Sequence, residues 1–277
     1  MGRREIAEHY DRANSLYLDL WGEHIHHGLF DGNPRAPRDA ARAQSRLVEE
    51  LARPLALARG ERLLDLGCGV GGSSRLLARS AGVEVVGVTL SAVQAEEATR
   101  RREAGQSFAV ADMENLPFAS GSFDAAWAVE SLSHVENRAG AIAEVARVLK
   151  PGGRLAIADW FRGREADNHE SLLRRVERGF LVPPLAPVEG YEGLLVRAGL
   201  MPARARIISS QVAPTWDVCL ERVRARHILE TARAMGARFL SFVRGFRAIR
   251  AALKADVTAY ALVWARKGGP AAGVAEK

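Results

Sequence analysis

Long apolar runs are missing from this chain: its 277 residues nowhere approach the roughly 18 consecutive apolar positions that a membrane-spanning helix needs. Cysteine is nearly absent as well. The two present, Cys68 and Cys219, lie far apart, and Cys68 sits in a glycine-rich segment, so no disulfide framework is legible and a reducing cytoplasm is the expected home. The opening residues, Met1-Gly2-Arg3-Arg4-Glu5-Ile6, hold no apolar stretch of a signal peptide, and Ile6 stands where a myristoylation signal wants Ser or Thr. Repeats and low-complexity segments are lacking before a Gly/Ala-rich stretch from Gly268, read as a flexible tail over 268–277. With 48% hydrophobic and 26% charged residues the chain is neither disordered nor fibrous, and it is long enough to bury a core without staples.

Charge is present but local. Residues 215–254 carry nine basic side chains against three acidic ones, which accounts for the whole formal charge of +6 and leaves the rest neutral. The block reads first as a solvated helix face and second as an electropositive mouth for an acidic substrate. Without an aromatic-interleaved RNA motif beside it, it does not point to nucleic acid.

Helical spacing of apolar residues predicts helices over 4–20 and 38–58, the second preceded by the breaker Pro34 to Pro37. From residue 62 short apolar runs alternate with helical stretches, the pattern of a parallel sheet wound with crossover helices. The expected strands are 62–66, 84–89, 107–111, 123–129 and 154–160. Between them fall helices near 73–80, 91–104 and 138–149, the last closed by Pro151-Gly152-Gly153. Helices over 165–180 and 188–199, a strand over 203–210, a helical block over 217–253 and a strand over 257–265 follow. Within that block Met235, Phe239, Phe242, Phe246, Ile249 and Leu253 share one stripe, read first as core and second as the lining of a substrate lid.

Chemistry concentrates where the first strand runs into Gly67-Cys68-Gly69-Val70-Gly71-Gly72. Missing Cβ atoms let backbone approach a ligand there, and Gly67, Gly69 and Gly72 fit the spacing of a dinucleotide-binding turn. Two residues argue against NAD. Asp65, just before the loop, would repel a pyrophosphate but suits a ligand carrying an ammonium and a sulfonium. Thr89 stands where an NAD site wants an acid at the end of the second strand.

Asp65-Leu66-Gly67-Cys68-Gly69-Val70-Gly71, Val110-Ala111-Asp112-Met113 with Leu116-Pro117-Phe118, Phe123-Asp124 and Arg147-Val148-Leu149-Lys150-Pro151-Gly152-Gly153 together resemble the ordered motifs of class I S-adenosylmethionine-dependent methyltransferases. His9-Tyr10-Asp11, the segment from Trp21 to Gly28, and Val88-Thr89-Leu90-Ser91-Ala92-Val93-Gln94 resemble their tocopherol, sterol, mycolic-acid and sugar-tailoring branch. The resemblance implies an α/β fold with a Rossmann-like, mostly parallel seven-stranded sheet in the order 3-2-1-4-5-7-6. It further implies a helical cover over 1–58, a cofactor-binding domain over 59–267, and lid insertions at 162–200 and 215–254. S-adenosylmethionine is the implied cofactor. Its methionine part would rest on the loop at Asp65, Gly67, Gly69 and Gly71, its ribose near Thr89, Leu90, Ser91 and Gln94, and its adenine near Asp112 and Met113, with Tyr10 and Val129 adjoining. The cyclopropane-forming members use a Cys where this chain has His27, so that activity is not expected.

His24, His26 and His27 do not have the spacing of a metal site, and no metal is expected. The candidate base is His134. Sugar O-methyltransferases resembling this chain carry a second His in the place of Ser133 and an Asp 25 positions beyond the base, which here is Asp159. A His backed by a carboxylate suits base catalysis near neutral pH; a structural role for His134 is the other reading. The expected function is methylation of a small natural product, foremost on oxygen. Carbon or nitrogen methylation, or cyclisation without methyl transfer, are the alternatives. A small-molecule partner is expected, with no nucleic acid and no stable membrane insertion; a homo-oligomer is left open.

Overall fold

The computed structural model describes residues 2–30, 39–223 and 237–269. Seven strands form one sheet: β1 (Arg62–Leu66), β2 (Glu84–Thr89), β3 (Gln106–Val110), β4 (Phe123–Val129), β5 (Leu149–Arg162), β6 (Leu200–Ile207) and β7 (Thr258–Lys267). Their order is β3-β2-β1-β4-β5-β7-β6, as the resemblance implies. β1 to β5 run parallel, while β7 is antiparallel to β5 on one side and to β6 on the other.

The central strands read as unbroken apolar runs because both faces of the sheet are covered. Alternate residues feed two cores. Leu63, Ala125, Trp127, Ala156, Tyr260 and Trp264 face one layer. It is completed by α1 (Arg3–Trp21), α2 (Ala40–Ala52), α6 (Glu170–Phe180), α9 (Pro214–Arg222) and α10 (Ala237–Lys254). Leu64, Ala126, Ala128, Ile157, Ala261 and Val263 face the other layer. There α5 (Arg138–Val148) and α7 (Val188–Arg197) pack. The crossovers α3 (Gly72–Ala81) and α4 (Ala92–Arg100) and the single turn α8 (Ser209–Val212) complete the helices among the described residues.

Several boundaries depart from the sequence reading: α2 ends at Ala52 instead of 58, α4 ends at Arg100 instead of 104, and β6 begins at Leu200 instead of 203. β5 begins at Leu149 because Pro151-Gly152-Gly153, with Gly152 at φ 74°, forms a bulge inside the strand instead of preceding it. β6 stops at Ile207, short of the expected 210, where the Ser209 hydroxyl accepts the Tyr260 N–H at 3.0 Å and displaces the ladder. The 165–180 helix starts only at Glu170, after a short turn over Asp167–His169. Of the stripe, Phe246, Ile249 and Leu253 belong to the core. Met235, the side chains of Phe239 and Phe242, the Pro34 to Pro37 breaker and the 270–277 tail lie outside the described residues.

Candidate active site

Where β1 ends, Gly67 takes φ 75°, and a Cβ on it would stand 2.3 Å from the Ser131 Cβ, so the loop needs glycine to pass the end of β4. Gly69 (φ 53°) instead faces open space, its nearest side-chain neighbour being the Gln94 amide nitrogen, 4.0 Å from the position of a Cβ. Both line a cavity of about 660 Å³ outside the carboxyl ends of the strands, where open α/β sheets bind ligands.

Of the residues singled out from sequence, Tyr10, Thr89, Leu90, Ser91 and Gln94 also line this cavity. So do Asp112, Met113, Val129 and His134. The Thr89 hydroxyl donates to Gln94 Oε1 at 3.1 Å, and the Ser91 hydroxyl, which caps α4, donates to Asp11 Oδ1 at 2.5 Å. That leaves the Gln94 amide N–H pair for a ligand.

Three expected residues are placed otherwise. Asp65 does not reach the cavity wall: it is buried beneath the loop, accepts the Ser74 hydroxyl at 2.5 Å, and burial pushes its pKa up to about 6. It therefore ties β1 to the first turn of α3 instead of meeting an ammonium. Gly71 turns away, toward the Phe108 ring. Asp159 is wholly buried and does not touch His134. Its Oδ2 accepts the Ser133 N–H and its Oδ1 the Trp160 N–H, both at 2.8 Å, and burial raises its pKa to about 6.

His134 is held by other partners. Its Nε2 meets the Tyr10 hydroxyl at 2.9 Å and its Nδ1 meets the Leu181 carbonyl at 3.3 Å. A carbonyl only accepts, so Nδ1 carries the proton and Nε2 accepts from Tyr10. Burial lowers the His134 pKa and raises that of Tyr10, which keeps the shared proton on the phenol.

The carboxylate that pairs with a histidine is Glu130, which sequence reasoning left unassigned. It adopts φ 51° at the end of β4 and lines the cavity. Its Oε1 accepts the His27 backbone N–H at 2.7 Å, the His27 Nδ1–H at 2.9 Å and the Tyr260 hydroxyl at 2.8 Å. Burial alone would raise its pKa, but the His27 ring and N–H groups outweigh it and hold the carboxyl below its ordinary range. His24 Nδ1 and His26 Nε2 both meet the Ser73 hydroxyl, at 3.1 and 3.0 Å. Sequence reasoning also missed Arg3, whose Nη1 lies 2.8 Å from Asp112 Oδ2 across the cavity mouth. Spacing puts Arg3 on the face of α1 that carries Tyr10 and Asp11, seven and eight positions on, without saying what that face meets. Among the described residues, no basic side chain of 215–254 lines this cavity.

The strand order, the glycine turn and a cavity at the carboxyl edge define a Rossmann-like transferase of the methyltransferase type. A family profile described as "Methyltransferase domain" matches residues 64–157. The chain is 35% identical over 273 residues to the 27-O-demethylrifamycin SV methyltransferase of Amycolatopsis mediterranei (strain S699), covering 95% of this chain and 97% of that one. It is 34% identical to the chloroplastic tocopherol O-methyltransferase of Arabidopsis thaliana over 239 residues, 79% of this chain and 69% of the relative. Among solved structures, the 4+2 cyclase SpnF superposes with TM-score 0.83 at 26% identity, covering 97% of each chain. A geranyl diphosphate C-methyltransferase from Streptomyces coelicolor A3(2) superposes with TM-score 0.77 at 23% identity, covering 96% of this chain and 97% of that one. The chain belongs to the class I S-adenosylmethionine-dependent methyltransferases, and S-adenosylmethionine is its cofactor.

Proposed function

We propose that the protein methylates a hydroxyl group of a small natural product, with His134 as the base. The observation that carries this reading is the fixed His134 ring: Nδ1 donates to the Leu181 carbonyl, and the basic Nε2 stands at the cavity wall. The named activities of the rifamycin and tocopherol relatives favour oxygen as the acceptor. The residues present suit the cofactor. The Gly67 to Gly69 backbone would hold its methionine part, the Gln94 amide with Thr89 and Ser91 the ribose, and Asp112 with Met113 the adenine. When bound, S-adenosylmethionine supplies an electrophilic methyl group on a sulfonium.

This chain's own groups then do three things. The helical cover, held through Asp11 on the Ser91 hydroxyl, excludes water from the cavity. Glu130 and Val129 wall the approach to the methyl group. An acceptor hydroxyl takes the place of the Tyr10 hydroxyl on His134 Nε2, which withdraws its proton as the oxygen attacks. Free, buried Cys68 and Cys219 suit a cytoplasmic setting.

Replacement of His134 by Ala or Gln is expected to lower release of S-adenosylhomocysteine by about 10²- to 10⁴-fold with cofactor affinity intact. Near-parental turnover in His134→Ala would shift the reading to a carbon or amine acceptor. Conversion of substrate by the parent without any S-adenosylhomocysteine would favour a cyclase.

A further inference from the structure

Two groups bracket the His134 ring: the Leu181 carbonyl, 3.3 Å from Nδ1, and the Tyr10 hydroxyl, 2.9 Å from Nε2. A hydroxyl both donates and accepts, so Tyr10, or an acceptor hydroxyl in its place, would serve either tautomer of the ring. Only the carbonyl selects. It accepts from Nδ1–H and leaves on Nε2 the lone pair that base catalysis uses. Whatever holds the Leu181 carbonyl in place therefore decides which nitrogen can act.

Leu181 needs such support. It ends α6 at φ 56°, a left-handed conformation that a residue with a side chain keeps only where its surroundings impose it. The Val182 N–H donates to the Glu177 carbonyl and the Leu185 N–H to Glu177 Oε1, both at 2.9 Å. Between them stand Pro183 and Pro184, which have no N–H, and both of their carbonyls go to one side chain. Arg138 Nη1 donates to the Pro184 carbonyl at 3.0 Å, and Nη2 donates to the Pro183 carbonyl at 3.4 Å and to the Ser133 carbonyl at 3.2 Å. Ser133 precedes His134, and Pro183 lies two positions past Leu181. One guanidinium thus pins the segment that carries the ring to the segment that carries the carbonyl. Arg138 itself opens α5 and does not line the cavity, so it acts only through His134.

On the reading of His134 as the base, we infer that Arg138 is a positioning residue: it clamps Ser133 to Pro183 and Pro184, which seats the Leu181 carbonyl on Nδ1 and keeps Nε2 open to take the proton. Arginine suits the task because its planar fork reaches three carbonyls at once, where a lysine ammonium on a flexible stem does so with less order. Burial, foremost, lowers the His134 pKa, and the Arg138 charge works in the same direction, so the clamp also favours the neutral ring.

The test reads the tautomer directly, by nitrogen NMR of isotope-labelled histidines with S-adenosylhomocysteine bound, the His134 signals being those absent from His134→Gln. At a pH where the ring is neutral, the parent is expected to carry the proton on Nδ1 alone. Arg138→Ala should show both tautomers in comparable amounts and Arg138→Lys a smaller admixture, with the affinity for S-adenosylhomocysteine unchanged in each. A merely structural role would lower the unfolding midpoint and leave the tautomer as it is. The parental tautomer in folded Arg138→Ala overturns the inference, and so does a proton on Nε2 in the parent. Should Arg138→Ala not fold, Arg138→Gln carries the same expectation and the same power to overturn. Full turnover in His134→Ala, with the tautomer shift still seen in Arg138→Ala, would instead strike the reading of His134 as the base.

Discussion

The His134 ring is fixed at both nitrogens, and burial lowers its pKa below the ordinary value near 6.5. A neutral ring is the base, so activity should be present above that lowered pKa and fall as the pH drops through it. The acid limb of the kcat/KM profile is accordingly expected below about pH 6.5, and a limb at higher pH would remove His134 as the base. Asp159 supports the site through backbone: its two oxygens satisfy the Ser133 and Trp160 N–H groups. Asp159→Ala leaves both donors buried and unmatched, an expected loss of about 2–6 kcal/mol by urea unfolding. Because folding raises the Asp159 and Asp65 pKa values to about 6, the protonated carboxyls favour the fold. Their contribution is complete below the unfolded value, about 4, and is lost as pH rises through about 6. The sequence placed His134 and Asp159 at the same sheet edge, because His134 follows one strand and Asp159 lies near the end of the next, and the apolar patterns of both strands are clear. A spacing of 25 says nothing about which atoms meet, and the Glu130–His27 pair joins residues 103 positions apart.

At the scale of elements, α1 is tied to the site by one face. Arg3 meets Asp112, Tyr10 meets His134 and Asp11 accepts from Ser91. If Asp112 receives the adenine amino group, Arg3 and the cofactor compete for Oδ2. Arg3→Ala should then bind S-adenosylmethionine more tightly than the parent, with the gain shrinking as salt rises, since Arg3 is exposed. Asp112→Ala should bind it about 1–3 kcal/mol more weakly. Calorimetric titration of the two variants checks both, and weaker binding by Arg3→Ala would make Arg3 part of the cofactor site. Helix α1 itself was legible from its periodicity. Its role as a clasp was not, because Arg3 and Asp11 look like any solvated helix charges until the strand ends that they reach are in place.

For the whole molecule, the decisive element is β7. Tyr260, Ala261 and Leu262 are wholly buried, and Leu262 stands opposite Ala158 of β5 and Arg206 of β6. Proline there cannot donate to either ladder, and Leu262→Pro is expected to cost at least about 3 kcal/mol in thermal or urea unfolding. Alternating apolar runs made the parallel half of the sheet readable. The antiparallel pair was placed only by resemblance, since periodicity identifies a strand without naming its neighbours.

The position of β7 also governs how the protein is made. It is synthesised after both strands that it separates, so β5 keeps an open edge and β6 has no ladder partner while a ribosome adds the residues up to Lys267. At about 5–20 residues per second, the 105 residues that follow Arg162, up to Lys267, take on the order of 5–20 seconds. Throughout that interval the nascent chain exposes an apolar strand edge of the kind that recruits holding chaperones or pairs with another chain. The sheet is complete only once this last strand is inserted between two that are already made.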